Sequence, residues 1–190
     1  MKRRIKRIVS MYLLCILISG CAAFQGNKPQ KDLNEGIGLY NKGDYENAIM
    51  YFKECIAVDK NNSTCHLWMG KVLLERGKEG DLKSALIEFK KAVDTSKDRE
   101  KTLAQIRSFF FERADKYSQK GDIYMESRCY LAYTENFNKN DVDAYIKLGN
   151  VMLAMGNPLG ALYYAKKAKA LDPNNKAVRE LMDTLNSPTH

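Results

Sequence analysis

Apolar and polar positions follow two regimes along the chain. The first seven residues, Met1-Lys-Arg-Arg-Ile-Lys-Arg7, are basic, and an apolar run from Ile8 to Ile18 follows them. That run is about half the ~20 residues a membrane-spanning helix needs. From Leu33 to Asn186 the pattern changes to one of small and large apolar residues that returns at a fixed period. The clearest copy holds Tyr145, Leu148, Gly149, Met152, Gly156, Ala161, Ala165 and Ala168 and ends Leu171-Asp172-Pro173-Asn174-Asn175. An earlier copy holds Gly36, Leu39, Gly43-Asp44-Tyr45, Ala48, Phe52, Cys55 and Val58-Asp59-Lys60-Asn61-Asn62, with Lys60 where the other has proline. A second holds Met69, Gly70, Leu73, Gly80-Asp81-Leu82, Ala85, Phe89 and Ala92, with three extra residues in its turn around Gly77–Gly80. The most divergent holds Phe110, Ala114, Tyr117 and Gly121-Asp122-Ile123, and more loosely Ser127, Leu131 and Thr134; its first helix is expected to start early, near Glu100.

Spacing carries the reading. Gly36 to Gly70 is 34 residues and Ala114 to Gly149 is 35; Gly70 to Ala114 is 44, a gap the turn insertion and a longer third helix absorb. Gly156 can take left-handed dihedrals and close a helix, and Pro173 ends one helix and opens the next. An ordinary helical bundle would not bring small residues, turn glycines and end motifs into agreement at one period. The amphipathic stretch Ala177-Val178-Leu181-Met182-Leu185 reads as a closing helix.

This pattern resembles tetratricopeptide repeats, helix-turn-helix units of 34 residues. The resemblance implies an all-α fold, a right-handed α-solenoid of about four helix pairs plus a C-terminal capping helix. Repeats fall near 29–62, 63–99, 100–141 and 142–175 and the cap at 176–186; the repeat domain is placed at residues 32–186, and 187–190 form a tail.

The N-terminal regime has its own resemblance. A basic start, a short apolar core and small residues before a cut make a secretory signal peptide, residues 1–20. Ile18-Ser19-Gly20-Cys21 resembles the lipobox of bacterial lipoproteins, in which the Cys becomes the first mature residue and is acylated. Lipidation at Cys21 is the expectation, with residues 21–31 as lipidated Cys and flexible tether. Ala22 follows the Cys where an Asp would mark inner-membrane retention in enteric-type lipoproteins. The implied location is the cell envelope, lipid-anchored, on the outer membrane facing the periplasm. Removing the signal leaves 170 of 190 residues and takes away five cations, so the formal charge falls from +8 to +3. The basic balance is then no argument for nucleic acid.

Little in the chain points to catalysis, which needs titratable groups clustered in a pocket. There are two histidines, His66 and the terminal His190. His66 follows Cys65, but a zinc site would need two more ligands at suitable spacing, so His66 reads as a surface or packed residue. No phosphate loop, nucleophile elbow or His-Glu-x-x-His appears. The expectation is a non-enzyme without cofactor, metal or nucleic-acid partner. Cys55 and Cys65 lie late in one helix and early in the next, on helices that the resemblance packs together. A disulfide between them, in an oxidising compartment, and two small buried hydrophobes both stay open. Cys129 has no obvious partner.

In the resembled architecture the first helix of each pair lines a concave groove that holds a protein partner. The residues expected there are Leu33, Ile37 and Tyr40; Leu67, Lys71 and Leu74; Phe111 and Asp115; and Ile146, Asn150 and Leu153. A Lys and Asn clamp for terminal carboxylates, used by chaperone-binding members, is absent from these slots. An apolar, aromatic-rich groove suits an amphipathic helix or an extended apolar peptide. Trp68 stands two residues after the family's large aromatic, at His66 here, and both core and rim are open to it. The expected role is a membrane-anchored interaction scaffold. Pilotin-like lipoproteins of type IV pilus biogenesis, which help a secretin assemble, are one group it resembles. Adaptors of outer-membrane protein assembly or of peptidoglycan enzymes are alternatives, and a self-associating structural subunit is another.

Overall fold

A computed structural model of the chain describes residues 28–187. The signal peptide, Cys21 and most of the tether, and the last three residues, lie outside the described residues. Nine α-helices make up the described residues: α1 (Lys28–Asn41), α2 (Tyr45–Val58), α3 (Ser63–Arg76), α4 (Asp81–Thr95), α5 (Arg99–Gln119), α6 (Ile123–Asn136), α7 (Val142–Ala154), α8 (Pro158–Leu171) and α9 (Lys176–Asn186). They are the four helix pairs and C-terminal helix expected from the repeat. None of them is long and apolar enough to cross a membrane. The helices form two compact units that divide after Arg99.

Local chemistry sets the turns within pairs. Gly43, Gly121 and Gly156 have φ of +78°, +72° and +70°, a region that costs glycine little and other residues much. The next residue in each case caps the following helix: Asp44, Asp122 and Asn157 accept from the backbone N–H of Asn47, Met125 and Gly160, removing one of the orphan donors at a helix start.

The turns between pairs share a second device. Asp59 accepts from Asn61 N–H at 3.1 Å and Asp172 from Asn174 N–H at 3.2 Å; Asn62 and Asn175 then cap α3 and α9. Lys60 replaces Pro173 without changing this geometry, because the hydrogen bonds come from the flanking Asp and Asn.

In the first unit α1 packs on α2, and α3 packs on α1, α2 and α4. Small residues set the approach. A Cβ on Gly70 would lie 2.7 Å from the Phe89 ring, and one on Gly36 2.5 Å from the Phe52 ring; both rings are fully buried. In the second unit α7 packs on α6, α8 and α9, and Phe110 of α5 meets Tyr133 of α6 with ring centroids 6.3 Å apart. The closing helix α9 buries Val178 and Leu181. Leu181 rests on Gly149, where a Cβ would come within 2.6 Å of its Cδ2.

Candidate interaction groove

The expected groove residues do not share one fate. Ile37, Tyr40, Lys71, Phe111 and Leu153 are half-buried, and Asp115 and Asn150 are exposed. Leu33, Leu67, Leu74 and Ile146 are buried, which corrects their placement on an open surface. The apolar stripe on these helices is wider than a single face, so residues one turn from the glycines join the core instead of facing a partner.

Three of the half-buried members, Tyr40, Lys71 and Phe111, are already engaged. Trp68 lies between core and rim: it stacks on Phe52 at 6.4 Å, meets Tyr40 edge-on at 5.3 Å, and has the Lys71 ammonium 4.7 Å from its ring. Phe111 is covered by Tyr130 and by the Arg107 guanidinium, 3.9 Å from its ring. Arg107 is itself tied to Asp141 at 2.7 Å and to Asp143 at 2.7 Å. Burial works against the ionised Asp141 carboxylate, but the Arg107 and Ala144 N–H bonds outweigh it and hold its pKa below the usual range.

The open concavity of the first unit lies elsewhere, between the two second helices of its pairs. Helices α2 and α4 form its walls and α3 its floor, around a volume of about 920 Å³. Spacing on each helix explains the lining. Ile49, Lys53 and Ile56 on α2 recur at i, i+4 and i+7, and Ser84, Ile87, Glu88 and Lys91 on α4 at i, i+3, i+4 and i+7. Side chains so spaced share a helix face. The floor supplies His66, Met69 and Leu73.

Two polar arrangements close the ends. At one, His66 Nε2–H donates to the Lys60 carbonyl at 2.9 Å and Nδ1 lies 2.6 Å from Glu88 Oε2; Lys91 donates to the other Glu88 oxygen at 2.9 Å. His66 is buried, and this network ties the α2–α3 loop to α4. At the other end Arg76 forks onto Asp81 and also reaches Glu46 at 2.9 Å. The Arg76 hydrogen bonds hold the Asp81 pKa below its ordinary value, and Asp81 in turn raises that of Arg76.

Asp81 differs from its counterparts Asp44 and Asp122. It does not cap its helix; Gly80 occupies that position, without a side-chain bond. The three extra turn residues shift Asp81 one place into α4, where its carboxylate also accepts from Lys78 N–H at 2.8 Å.

Cys55 and Cys65 are joined as a disulfide, Cα atoms 6.3 Å apart. It fixes the end of α2 to the start of α3, next to Lys60 and His66. Cys129 is buried. Among the described residues no group of three or more His, Cys, Asp or Glu is placed to hold a metal ion.

A fold of this kind, built of helix pairs that pack on their neighbours within each unit, is a helical-repeat fold. A tetratricopeptide repeat model matches residues 39–62, the end of α1, all of α2 and the loop after it. Comparison with curated proteins gave no match. Among solved structures, the chain is similar to the MamA protein at 21% identity over 84% of this chain and 81% of that one, TM-score 0.45. It is similar to pilF of Pseudomonas aeruginosa at 18% identity over 85% and 68%, TM-score 0.39. A tetratricopeptide repeat protein from Parabacteroides merdae matches at 17% over 84% and 59%, TM-score 0.44. At these TM-scores the similarities carry no conclusion about partners.

Proposed function

We propose that the chain is a lipid-anchored scaffold of the cell envelope that holds a protein partner, supplies no chemistry, and assists assembly of an envelope machine such as a type IV pilus or its secretin. The observation that carries the interaction reading is the open groove between α2 and α4, whose lining includes Ile56 and the 45%-exposed Ile87. The apolar lining is contiguous, with Ile49, Met69 and Leu73 beside Ile56 and Ile87, and a contiguous apolar surface open to solvent marks an interaction site. The basic start, the apolar run from Ile8 and the Ile18-Ser19-Gly20-Cys21 motif support the anchor.

Crosslinking the chain in its native membrane, beside an Ile87→Glu variant, tests this. Capture of a secretin or pilus protein that fails in the variant supports the reading. Capture of barrel-assembly proteins or cell-wall enzymes replaces the machine but keeps the scaffold. Labelling with palmitate tests the anchor: Cys21→Ala should abolish the label and release the chain from membranes.

A second reading is self-association, favoured by Leu159 and Tyr163, which sit one turn apart on α8 and are 79% and 54% exposed. A concentration-independent monomer in sedimentation equilibrium removes it.

A further inference from the structure

We propose that the α2–α4 groove receives an acidic amphipathic helix of the partner protein. This rests on the scaffold reading and names the chemistry of what the scaffold holds.

The first argument is shape. The walls are helices whose backbone hydrogen bonds are made internally, so the groove offers no strand edge to an extended peptide. A helical ligand brings its own backbone already satisfied and needs only side-chain complementarity. The α4 side of the lining runs from Asp81 to Thr95, about 21 Å at 1.5 Å per residue, which leaves room for a ligand of three turns. Ile56, Met69 and Ile87 form an apolar seat for residues at i, i+3 or i+4, and i+7.

The second argument is charge. Four cations, Lys53, Lys60, Arg76 and Lys91, line the groove against two carboxylates, Asp81 and Glu88. Both carboxylates are already taken: Asp81 by Arg76, Glu88 by His66 and Lys91. Among the described residues nothing pairs with the ammonium groups of Lys53 and Lys60, whereas Arg76 and Lys91 are satisfied. The open charge is therefore positive and sits at the Cys55–Cys65 end. A ligand carrying Glu or Asp beside its apolar stripe meets it, and a basic one is repelled.

The test uses the full chain in lipid nanodiscs, with empty nanodiscs as blank. The probe is a fluorescein-labelled three-turn peptide with Leu at i, i+3, i+4 and i+7 and Glu elsewhere; its twin carries Lys for Glu. The Glu peptide should bind at least tenfold more tightly than the Lys twin, and less tightly as salt rises. It should shift the methyl resonances of Ile56, Met69 and Ile87. Lys53→Glu combined with Lys60→Glu should weaken it at least tenfold, while Lys166→Glu on α8 leaves it unchanged. Both lysines are exposed, so the reversals leave the fold intact, which circular dichroism checks. Equal binding of the two peptides, or indifference to the double reversal, overturns the proposal. The scaffold reading fails separately: membrane crosslinking that captures no partner removes it, and a captured partner that survives the double reversal removes this groove alone.

Discussion

Asp81 receives both arms of the Arg76 guanidinium, Nη2 at 2.6 Å from Oδ1 and Nε at 2.9 Å from Oδ2. The pair closes the α3–α4 turn and neutralises one end of the groove. Because Arg76 holds the Asp81 pKa down, the unfolded chain binds a proton at this site more readily than the folded one. Its contribution is complete above the unfolded carboxylate pKa of about 3.9 and is lost as pH falls through the lower folded value. Denaturation midpoints should therefore drop as pH falls below about 5, and Asp81→Asn should lower stability at pH 7 while flattening that dependence. Urea titrations at several pH values check this; an unchanged slope would remove the pair as its source.

The Cys55–Cys65 bond closes a short loop, a separation of 10 residues. Loop-closure entropy for such a loop corresponds to about 2–3 kcal/mol. Reduction, or Cys55→Ala with Cys65→Ala, should lower Tm by roughly 5 °C or more for a chain of this size. Trp68, the only tryptophan, lies in the same unit and reports the change by fluorescence. Equal Tm with and without reductant would show that the bond adds nothing to stability.

Gly70 is required by the Phe89 ring against it. Gly70→Ala gains helix propensity but overpacks a closed core, for a net loss of about 1–2 kcal/mol. Phe89→Leu added to Gly70→Ala should recover part of that loss, since it removes the colliding ring edge. A double-mutant cycle by chemical denaturation measures the coupling; strict additivity would count against the contact.

Asp141 does two things at once, capping α7 through Ala144 N–H at 3.0 Å and binding Arg107. Asn keeps the cap and loses the charge. Asp141→Ala should cost about 2–3 kcal/mol and Asp141→Asn about half of that. Equal losses from the two variants would assign the whole effect to the ion pair.

Much of the architecture is local. Gly43-Asp44, Gly121-Asp122 and Gly156-Asn157 each make a left-handed turn and a cap from neighbouring residues, so the helix pairs can be read without knowing what packs on them. The third pair was legible only loosely: α5 runs 21 residues, and its core adds the Phe110 and Tyr133 rings to the small residues Ala114 and Ser127. The groove was not legible in the same way. Its walls come from α2 and α4, separated in sequence by the whole of α3, and the residues that line it look like ordinary amphipathic positions. His66 gives no hint of its partners, because Lys60 and Glu88 reach it from different elements.

The sequence alone determined the period, the helix pairs, the turn chemistry and the closing helix, because each depends on residues within one or two turns of one another. Tertiary structure decided which apolar residues stay open. Leu67 and Ile87 are both apolar residues on amphipathic helices, yet one is buried and the other is 45% exposed. Helical spacing tells which residues share a face; whether another element covers that face depends on packing between segments distant in sequence. The same packing placed Cys55 beside Cys65, and left Lys53 and Lys60 as the open charges of the groove.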